Sequence, residues 1–260
     1  MSELSAPPTD RLADPIEPEP VSELERRLRE AGADELLALL AEHLERLEVP
    51  AVRQALRNPH LTAEAVERIA GQTRLLAFYE VKRAVALHPR TPEILALRFV
   101  PGLFWRDLVV LGLDMRVRPQ VRRAAEVHLT ARLAELAVGE KVALARRASP
   151  GILAHLRHDP SPRVFAALLD NPRLTEAALM PVALGAGTPS PILATLAADR
   201  RWGVRYPVQV ALSRNPNTPL ETALRILPRL RKLDIRGVSA DPRTPEAVRQ
   251  RARLLLGEAF

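Results

Sequence analysis

The chain has 260 residues, of which 47% are hydrophobic and only 3% aromatic, and it contains no cysteine. The absence of cysteine excludes disulfides, thiolate zinc sites, iron–sulfur clusters and thiol nucleophiles. Alanine and leucine dominate and alternating β-branched runs are rare, so the composition favours helices over sheets. The net charge of +7 is uneven: residues 1–50 carry 13 acidic and 5 basic residues, whereas the remainder carries 18 acidic and 33 basic residues.

The first 20 residues combine prolines and acidic residues with few apolar ones, which predicts a disordered acidic tail over residues 1–20. This segment lacks the basic-then-apolar order of a signal peptide. No apolar run in the sequence reaches the roughly 18 residues of a membrane span. We therefore expect a cytoplasmic protein that does not enter a membrane.

Two helices are predicted to follow the tail and to form an N-terminal helical cap over residues 21–49. Ser22 and Glu25 have the spacing of a capping box, in which each side chain binds the backbone N–H of the other. A leucine stripe marks a second, amphipathic helix over residues 34–48. Its members are Leu36, Leu37, Leu40, Leu44 and Leu47. Repeat arrays need a terminal cap because the first repeat has no preceding neighbour.

A repeated pattern runs through residues 50–260: an apolar helix, a turn with a polar residue before proline, and a threonine that opens a second helix. The turn pairs are Asn58-Pro59, His88-Pro89, Asn171-Pro172, Asn215-Pro216 and Asp241-Pro242. A residue before proline is pushed out of the α region, so the first helix should end at each pair. The threonines expected to cap the second helices are Thr62, Thr91, Thr175, Thr218 and Thr244. Where proline follows the threonine, as at Pro92, Pro219 and Pro245, we place it in the first helical position.

Weaker copies of the pattern put further caps at Thr130, Ser149 and Ser190, which makes the array degenerate. Short helices cannot bury their apolar stripes alone, so stacking of units must supply the core. The expected core layers are Val85, Leu168, Leu212 and Val238 before the turns, and Leu95, Leu179, Leu224 and Val248 after them. The apolar run Leu108 to Leu113, beside Phe104 and Trp105, predicts a fully buried helix.

The unit seen in Val52-Arg53 to Asn58-Pro59, and again in Asn215-Pro216 to Leu224, resembles the variant leucine-rich repeat family. The resemblance implies an all-α fold, a right-handed α-solenoid in which α-helices alternate with short 3₁₀ helices, related in shape to HEAT and armadillo arrays. The missing Asn-Pro near residue 127, the close spacing before Ser190 and the insertion around Phe99 to Met115 depart from the family pattern. They leave HEAT-like helical pairs open as a local alternative. Some members of the family carry an iron–sulfur domain, which a chain without cysteine cannot hold.

Arginine clusters are the main functional feature, and about one per unit would form a basic stripe along a solenoid. The predicted binding residues are Arg122, Arg123, Arg146, Arg147, Arg200, Arg201, Arg205, Arg229, Arg231 and Lys232. Such a stripe suits an acidic protein or a phosphate backbone, although the interleaved aromatics that stack bases are missing. Two competing interpretations are a solvated face balanced by nearby glutamates and the codon bias of an arginine-rich genome.

Catalysis has no positive signal in the sequence. No nucleophile elbow, phosphate-binding loop or dinucleotide motif occurs, and no carboxylate pair stands out as an acid/base couple. His155 and His158 have a helical i, i+3 spacing that suits metal ligands, but no third ligand motif accompanies them. We predict no catalytic residue, no cofactor and no metal.

The sequence therefore predicts a non-enzymatic scaffold that recognises a macromolecule, an acidic protein in the first place, through a basic curved surface. One alternative is a nucleic-acid binder that contacts phosphates without reading sequence. The other is a HEAT-like alkylpurine DNA glycosylase, a family of similar size and charge. In that alternative Trp105-Arg106-Asp107 and Trp202, with Arg200, Arg201 and Arg205, would line the groove. The competing interpretation places Trp105 in the core and makes Trp202 the anchor of a loop.

Overall fold

The computed structural model describes residues 22–258, so the predicted tail of residues 1–20 lies outside the described residues. Within the described range, α-helices are joined by short turns and no strand occurs, which confirms the all-α prediction. The helices are α1 (Glu23–Glu30), α2 (Ala33–His43), α3 (Val49–Leu56), α4 (Ala63–Gly71), α5 (Thr73–Leu76), α6 (Tyr79–Leu87), α7 (Glu93–Phe99), α8 (Trp105–Leu113), α9 (Pro119–Ala131), α10 (Val138–Ala145), α11 (Pro150–Leu156), α12 (Pro162–Leu169), α13 (Glu176–Leu184), α14 (Ser190–Ala198), α15 (Tyr206–Arg214), α16 (Leu220–Ile226), α17 (Lys232–Ala240) and α18 (Glu246–Leu256). Short 3₁₀ helices follow α7 at Val100–Gly102 and α16 at Leu227–Arg229.

The chain divides into two compact units, Met1–Val81 and Lys82–Phe260, with the boundary inside α6. In the N-terminal unit α1 packs on α3 and α2 packs on α4. In the C-terminal unit α12 packs on both α10 and α14, α15 packs on both α13 and α17, and α16 packs on α18. Each of these helices contacts the next but one along the chain, which is the arrangement that results when helical pairs stack.

The first two helices follow the predicted order. The backbone N–H of Ser22 donates to Glu25 Oε2 at 3.1 Å and the N–H of Glu25 donates to Ser22 Oγ at 3.2 Å, so the capping box is confirmed. Leu36 and Leu40 of α2 are fully buried. The predicted end of α2 at residue 48 is wrong, because the helix ends at His43 and a turn leads into α3, whose second residue is Pro50. Proline at that position suits the first turn of a new helix and not the interior of an old one.

Of the five threonines in the turns, the two that no proline follows are helix caps, as predicted. Thr62 Oγ1 accepts the N–H of Ala65 at 3.2 Å and caps α4. Thr175 Oγ1 accepts the N–H of Ala178 at 3.3 Å and caps α13. In both cases the hydroxyl satisfies one of the backbone donors that the first turn of a helix leaves without a partner.

The threonines that a proline follows have a different role, and the cap prediction is wrong for them. In Thr91-Pro92, Thr218-Pro219 and Thr244-Pro245 the N-cap is the proline itself. The proline therefore lies one position before the first helical position, where it was predicted. A residue before proline is held extended. Thr91 Oγ1 instead donates to the carbonyl of Val85 at 2.5 Å, and Thr188 Oγ1 donates to the carbonyl of Val182 at 2.8 Å. Thr91 and Thr188 therefore satisfy carbonyls in the last turn of the preceding helix, whereas the buried hydroxyls of Thr218 and Thr244 have no hydrogen-bond partner among the described residues.

Among the weaker copies, only one of three predicted caps is confirmed. Ser149 caps α11, with its Oγ accepting the N–H of Ile152 at 3.4 Å. Ser190 is the first residue of α14 and Pro189 is its N-cap. Thr130 lies inside α9, because no Asn-Pro pair interrupts the helix there.

The core layers before the turns are confirmed. Val85, Leu168, Leu212 and Val238 are fully buried. After the turns Leu179 and Val248 are also buried, whereas Leu95 and Leu224 are only partly buried.

Helix α8 is not the fully buried helix that its apolar run predicts. Leu108 and Leu111 are buried, but Val110 is 49% exposed and Phe104, just before the helix, is 62% exposed. Six consecutive apolar residues cover every side of an α-helix, and only one side of α8 faces the core. The other side is an apolar wall in contact with solvent.

One side-chain turn recurs throughout the chain. In each case a side-chain atom of the turn residue accepts a hydrogen bond from the backbone N–H two residues later. This N–H therefore has a side-chain partner in place of a helical carbonyl, and the preceding helix ends at the turn. The turn residues are Asn58, His88, Asp114, Asp159, Asn171, Asp199, Asn215 and Asp241. The sequence predicted five of these turns and missed Asp114, Asp159 and Asp199, of which only Asp159 precedes a proline.

The asparagines of these turns also join successive parts of each unit. Asn58 Nδ2 donates to the carbonyls of Leu28 and Ala31 at 3.0 and 2.9 Å within the N-terminal unit. Asn171 and Asn215 make the same pair of bonds to carbonyls 23–32 residues earlier in the C-terminal unit. All three side chains are buried. Because buried carbonyls at a helix end require partners, each amide closes the end of an earlier helix.

His88 occupies one of these turns and gives the C-terminal unit a pH-dependent term. Its Nδ1 accepts the N–H of Arg90 at 3.2 Å, which requires an unprotonated nitrogen. Burial, and then the charges of Arg90 and Arg116, lower the pKa of His88 below its ordinary value of 6.5. The unfolded chain therefore binds the proton more readily than the folded one, and stability is lost as pH falls through 6.5.

We expect the free energy of unfolding to fall more steeply between pH 7 and pH 5 in the wild type than in His88→Asn, because asparagine keeps the acceptor and does not titrate. Urea unfolding at several pH values measures both slopes. The remaining five histidines are the same in the two proteins, so they cancel in the comparison. Equal slopes would contradict the assignment.

Candidate functional site

An open cleft of about 590 Å³ lies in the C-terminal unit, between α8 and the C-terminal end of α10. This volume is in the range of small-molecule binding sites. The lining residues are Arg83, Trp105, Arg106, Asp107, Val109, Val110, Leu113, Ala143, Leu144, Arg146 and Arg147. Four of the eleven are arginines, and five are aliphatic.

Helix α8 provides one wall of the cleft. Its first turn holds Trp105, Arg106 and Asp107, and residues one and two turns later supply the aliphatic lining. Residues four apart share a helix face, so Arg106 and Val110 lie next to each other along this wall. The solvent-facing apolar side of α8 and the charged side chains of its first turn therefore belong to the same cleft.

Trp105 is held in place by two contacts. Its Nε1–H donates to Glu140 Oε1 of α10 at 3.0 Å, and the guanidinium carbon of Arg106 lies 5.3 Å from the centre of the indole ring. The side chain is half-buried and faces the cleft, so the interpretation of Trp105 as a core residue is wrong. Arg106 over the ring gains a cation–π attraction.

Asp107 forms an ion pair with Arg83 of α6. The Arg83 Nε and the Asp107 Oδ1 are 2.5 Å apart, and the two side chains are 46% and 12% exposed. The carboxylate also lies in the first turn of α8, where the positive end of the helix dipole favours it. The charge of Arg83 is therefore compensated by the protein itself.

The other three arginines of the cleft have no such compensation. Arg146 is the C-cap of α10 and Arg147 follows it, and both are exposed. Neither they nor Arg106 form an ion pair with any of residues 22–258. Cations are favoured beside the free carbonyls at the C-terminal end of a helix. The C-terminal end of α10 therefore tolerates both Arg146 and Arg147. Three arginines without ion pairs give the cleft an excess of positive charge beside its apolar walls, and such a charge favours anions over cations.

Only two of the predicted binding residues, Arg146 and Arg147, line this cleft. The predicted residues outside it are Arg122, Arg123, Arg200, Arg201, Arg205, Arg229, Arg231 and Lys232. Arg122 of α9 contacts Met115, its Nη1 being 2.6 Å from the sulfur. Arg231 lies over the ring of Tyr206, at 5.0 Å from its centre. Arg123, Arg200, Arg229 and Lys232 are exposed on the surface.

Arg201 and Arg205 cover a buried tryptophan. Their guanidinium carbons lie 4.4 and 4.9 Å from the ring centre of Trp202, and Trp202 is only 2% exposed. The Trp202 Nε1–H donates to the carbonyl of Leu169 at 3.0 Å. Arg205 also pairs with Glu176 at 3.1 Å. This cluster supports the packing of the segment between α14 and α15, in agreement with the interpretation of Trp202 as an anchor.

Arg83 was missed because it is not part of an arginine cluster in the sequence. Its signal is the repeat register: Arg83 stands five residues before the turn residue His88, as Arg53 stands five residues before Asn58. Arg53 pairs with Glu80 within the N-terminal unit, with 3.7 Å between Nη2 and Oε2. Arg236 has the same position before Asp241, whereas Ala166 and Val210 have it before Asn171 and Asn215, so the repeat register indicates an arginine at this position in only part of the array.

Comparisons of the chain with protein-family models, with curated proteins and with solved structures gave no match. Among residues 22–258, no three histidine, aspartate or glutamate side chains come together as a set of metal ligands. His158 Nε2 instead accepts the Nε–H of Arg157 at 3.1 Å. No described helix combines the length and the apolar character that crossing a membrane requires.

Proposed function

We propose that this protein is a non-enzymatic recognition module, a solenoid of stacked helical pairs that binds an acidic segment of a partner protein in the cleft between α8 and α10. The observation that carries the proposal is the combination of Arg106, Arg146 and Arg147, without ion-pair partners among the described residues, with aliphatic walls in one cleft. Carboxylates are the complementary groups for arginine, because the guanidinium donates two parallel hydrogen bonds to them.

The charge of the C-terminal unit supports an acidic partner. Residues Lys82–Phe260 contain 29 basic and 15 acidic residues, an excess of 14 positive charges. An excess of this size accelerates encounter with an acidic molecule and makes the association salt-dependent.

A protein partner agrees better with the cleft than a nucleic acid does. Binding of single strands depends on aromatic platforms for the bases. Trp105 is the one aromatic residue of the cleft, and Arg106 and Glu140 already engage it. The aliphatic walls offer nothing to a phosphate backbone, whereas a protein segment brings apolar side chains as well as charge.

The excision of alkylated bases has little support in this geometry. Trp202 is buried and not available to a DNA base, and Asp107 is 12% exposed and paired with Arg83. We expect no base release from alkylated DNA in an excision assay. Release by the wild type that Asp107→Asn abolishes would overturn the non-enzymatic proposal.

The choice of partner class is tested with two fluorescent probes, poly-glutamate and a random-sequence DNA duplex, titrated with the full chain at low and at raised salt. We expect poly-glutamate to bind more tightly, with an affinity that decreases as salt rises. Tighter binding of the duplex, with the steep salt dependence that counterion release causes, would instead support phosphate-backbone binding.

The location of the site is tested by charge reversal. Arg146→Glu/Arg147→Glu is expected to weaken poly-glutamate binding by at least about tenfold, because two attractions become repulsions. Arg163→Glu/Arg173→Glu is the matched control, since both arginines are exposed and lie outside the cleft, and the net charge changes equally. An equal loss in both variants would mean that binding is spread over the surface and not located in the cleft.

A further inference from the structure

We infer that the cleft is an anchor pocket for one apolar side chain of the acidic segment, with flanking carboxylates of that segment bound by the arginines. The inference rests on the proposed function and adds the chemistry of the motif: an apolar residue between acidic ones. It follows from where the charged and the aliphatic groups of the cleft lie relative to each other.

The apolar part of the site is formed by α8 and α10. Val109, Val110 and Leu113 come from one helix and Ala143 and Leu144 from the other. Val110 is 49% exposed, and Val109, Leu113 and Ala143 are also accessible to solvent. Aliphatic groups of two helices that line one cleft and remain in contact with water favour an apolar ligand group, because its entry removes apolar surface of both partners from water.

The cations lie on the same two walls as the aliphatic residues. Arg106 belongs to the first turn of α8, whereas Arg146 and Arg147 belong to the end of α10. A guanidinium that stacks on an aromatic ring, as Arg106 does on Trp105, keeps its in-plane N–H groups for a carboxylate. A ligand that pairs with arginines of both helices therefore also meets the aliphatic residues of the same cleft, and only an apolar group covers those residues without an unpaired polar atom.

Charge complementarity identifies the ligand as an amphipathic acidic segment. A purely polar polyanion would pair with the three arginines but leave the aliphatic walls wet. A purely apolar segment would leave three arginines desolvated without partners, which is costly. A leucine or phenylalanine with glutamates on both sides satisfies both parts of the cleft.

The test uses two labelled glutamate-rich peptides that differ only at the central residue, leucine in one and alanine in the other. The wild-type chain is expected to bind the leucine peptide at least about tenfold more tightly, because full burial of the three additional carbons would give roughly fiftyfold and an open cleft buries them in part. Raised salt should weaken binding of both peptides but preserve the ratio, because apolar burial is not screened.

A substitution in the aliphatic wall distinguishes binding of the apolar side chain from binding of the carboxylates. Val110→Arg adds a cation but fills the aliphatic wall, so we expect the preference for leucine to disappear while the alanine peptide binds at least as tightly as before. Val127→Arg is the matched control, since Val127 is 63% exposed on α9 and does not line the cleft. It should keep the leucine preference of the wild type. Circular dichroism confirms that both variants are folded.

The outcomes distinguish the anchor from the proposed function on which it rests. Equal affinities of the two peptides for the wild type, both weakened by Arg146→Glu/Arg147→Glu, would overturn the anchor and leave acidic-segment binding intact. Persistence of the leucine preference in Val110→Arg would also overturn the anchor at this position. Failure of both peptides to bind would overturn the proposed function itself.

Discussion

Asn171→Ala is expected to lower the free energy of unfolding by about 3 kcal/mol, since it removes three hydrogen bonds from a fully buried site. The Asn171 Nδ2 donates to the carbonyls of Ala145 and Ala148 at 2.7 and 3.1 Å, and the Oδ1 accepts the N–H of Arg173 at 2.8 Å. Alanine leaves the two carbonyls and the N–H without partners. A buried polar group without a partner loses its hydration and gains nothing in return.

Urea unfolding followed by circular dichroism measures the effect, with Asp170→Ala as the control. Asp170 is the preceding residue, is exposed and makes none of these bonds, so its replacement should change stability by less than about 0.5 kcal/mol. Asn171→Asp distinguishes the two bonds that Asn171 donates from the one that it accepts. Aspartate can still accept the N–H of Arg173, but it places a carboxylate oxygen against the carbonyls of Ala145 and Ala148 and should therefore be destabilising. If Asn171→Asp were as stable as the wild type, the bonds to Ala145 and Ala148 would not contribute to folding.

The turn at Asn171 also shows how far local sequence signals predict this fold. The Asn-Pro pair predicts the end of α12 correctly, because the effect of proline on its predecessor is local. The partners of the Asn171 amide are residues 145 and 148, and no local pattern identifies them. They depend on which helices stack, so the most stabilising role of the asparagine could not be predicted.

The Thr-Pro segments illustrate a competition between two local rules. Threonine before a helix predicts a cap, and proline predicts the first helical position. When the two are adjacent, proline keeps the threonine extended and takes the N-cap position itself, as at Pro92. The hydroxyl of Thr91 then bonds to the helix behind it. The sequence contained both signals but not the rule that decides between them.

The candidate site was predictable in part for a similar reason. Arg146 and Arg147 stand out as neighbours in the sequence, and both line the cleft. Arg201 and Arg205 produce the same signal but lie against the ring of Trp202. Whether an arginine is available to a partner or covers an aromatic ring depends on the tertiary position of that ring, which clustering in the sequence does not encode.

Gly203→Ala is the second substitution with a large expected effect, a loss of about 3 kcal/mol in the free energy of unfolding. A Cβ atom at this position would lie 2.5 Å from the carbonyl oxygen of Ala197 and 2.8 Å from that of Leu196. Both oxygens belong to the backbone at the end of α14, so no side-chain rotation relieves the contact. The segment that follows Trp202 must therefore move away from α14.

Such a movement would displace Trp202, which is held between Arg201, Arg205 and the carbonyl of Leu169. Gly187→Ala is the matched control, because a Cβ atom there has no other atom within 4 Å and the backbone of Gly187 is not in the left-handed region. Alanine at that position restricts the unfolded chain and should leave stability unchanged or slightly higher. Thermal unfolding compares the two variants, and tryptophan fluorescence measured in a Trp105→Phe background reports the environment of Trp202. If Gly203→Ala and Gly187→Ala unfold at the same temperature, the close approach of this segment to α14 does not limit the packing, and the arginine cluster around Trp202 does not depend on glycine at position 203.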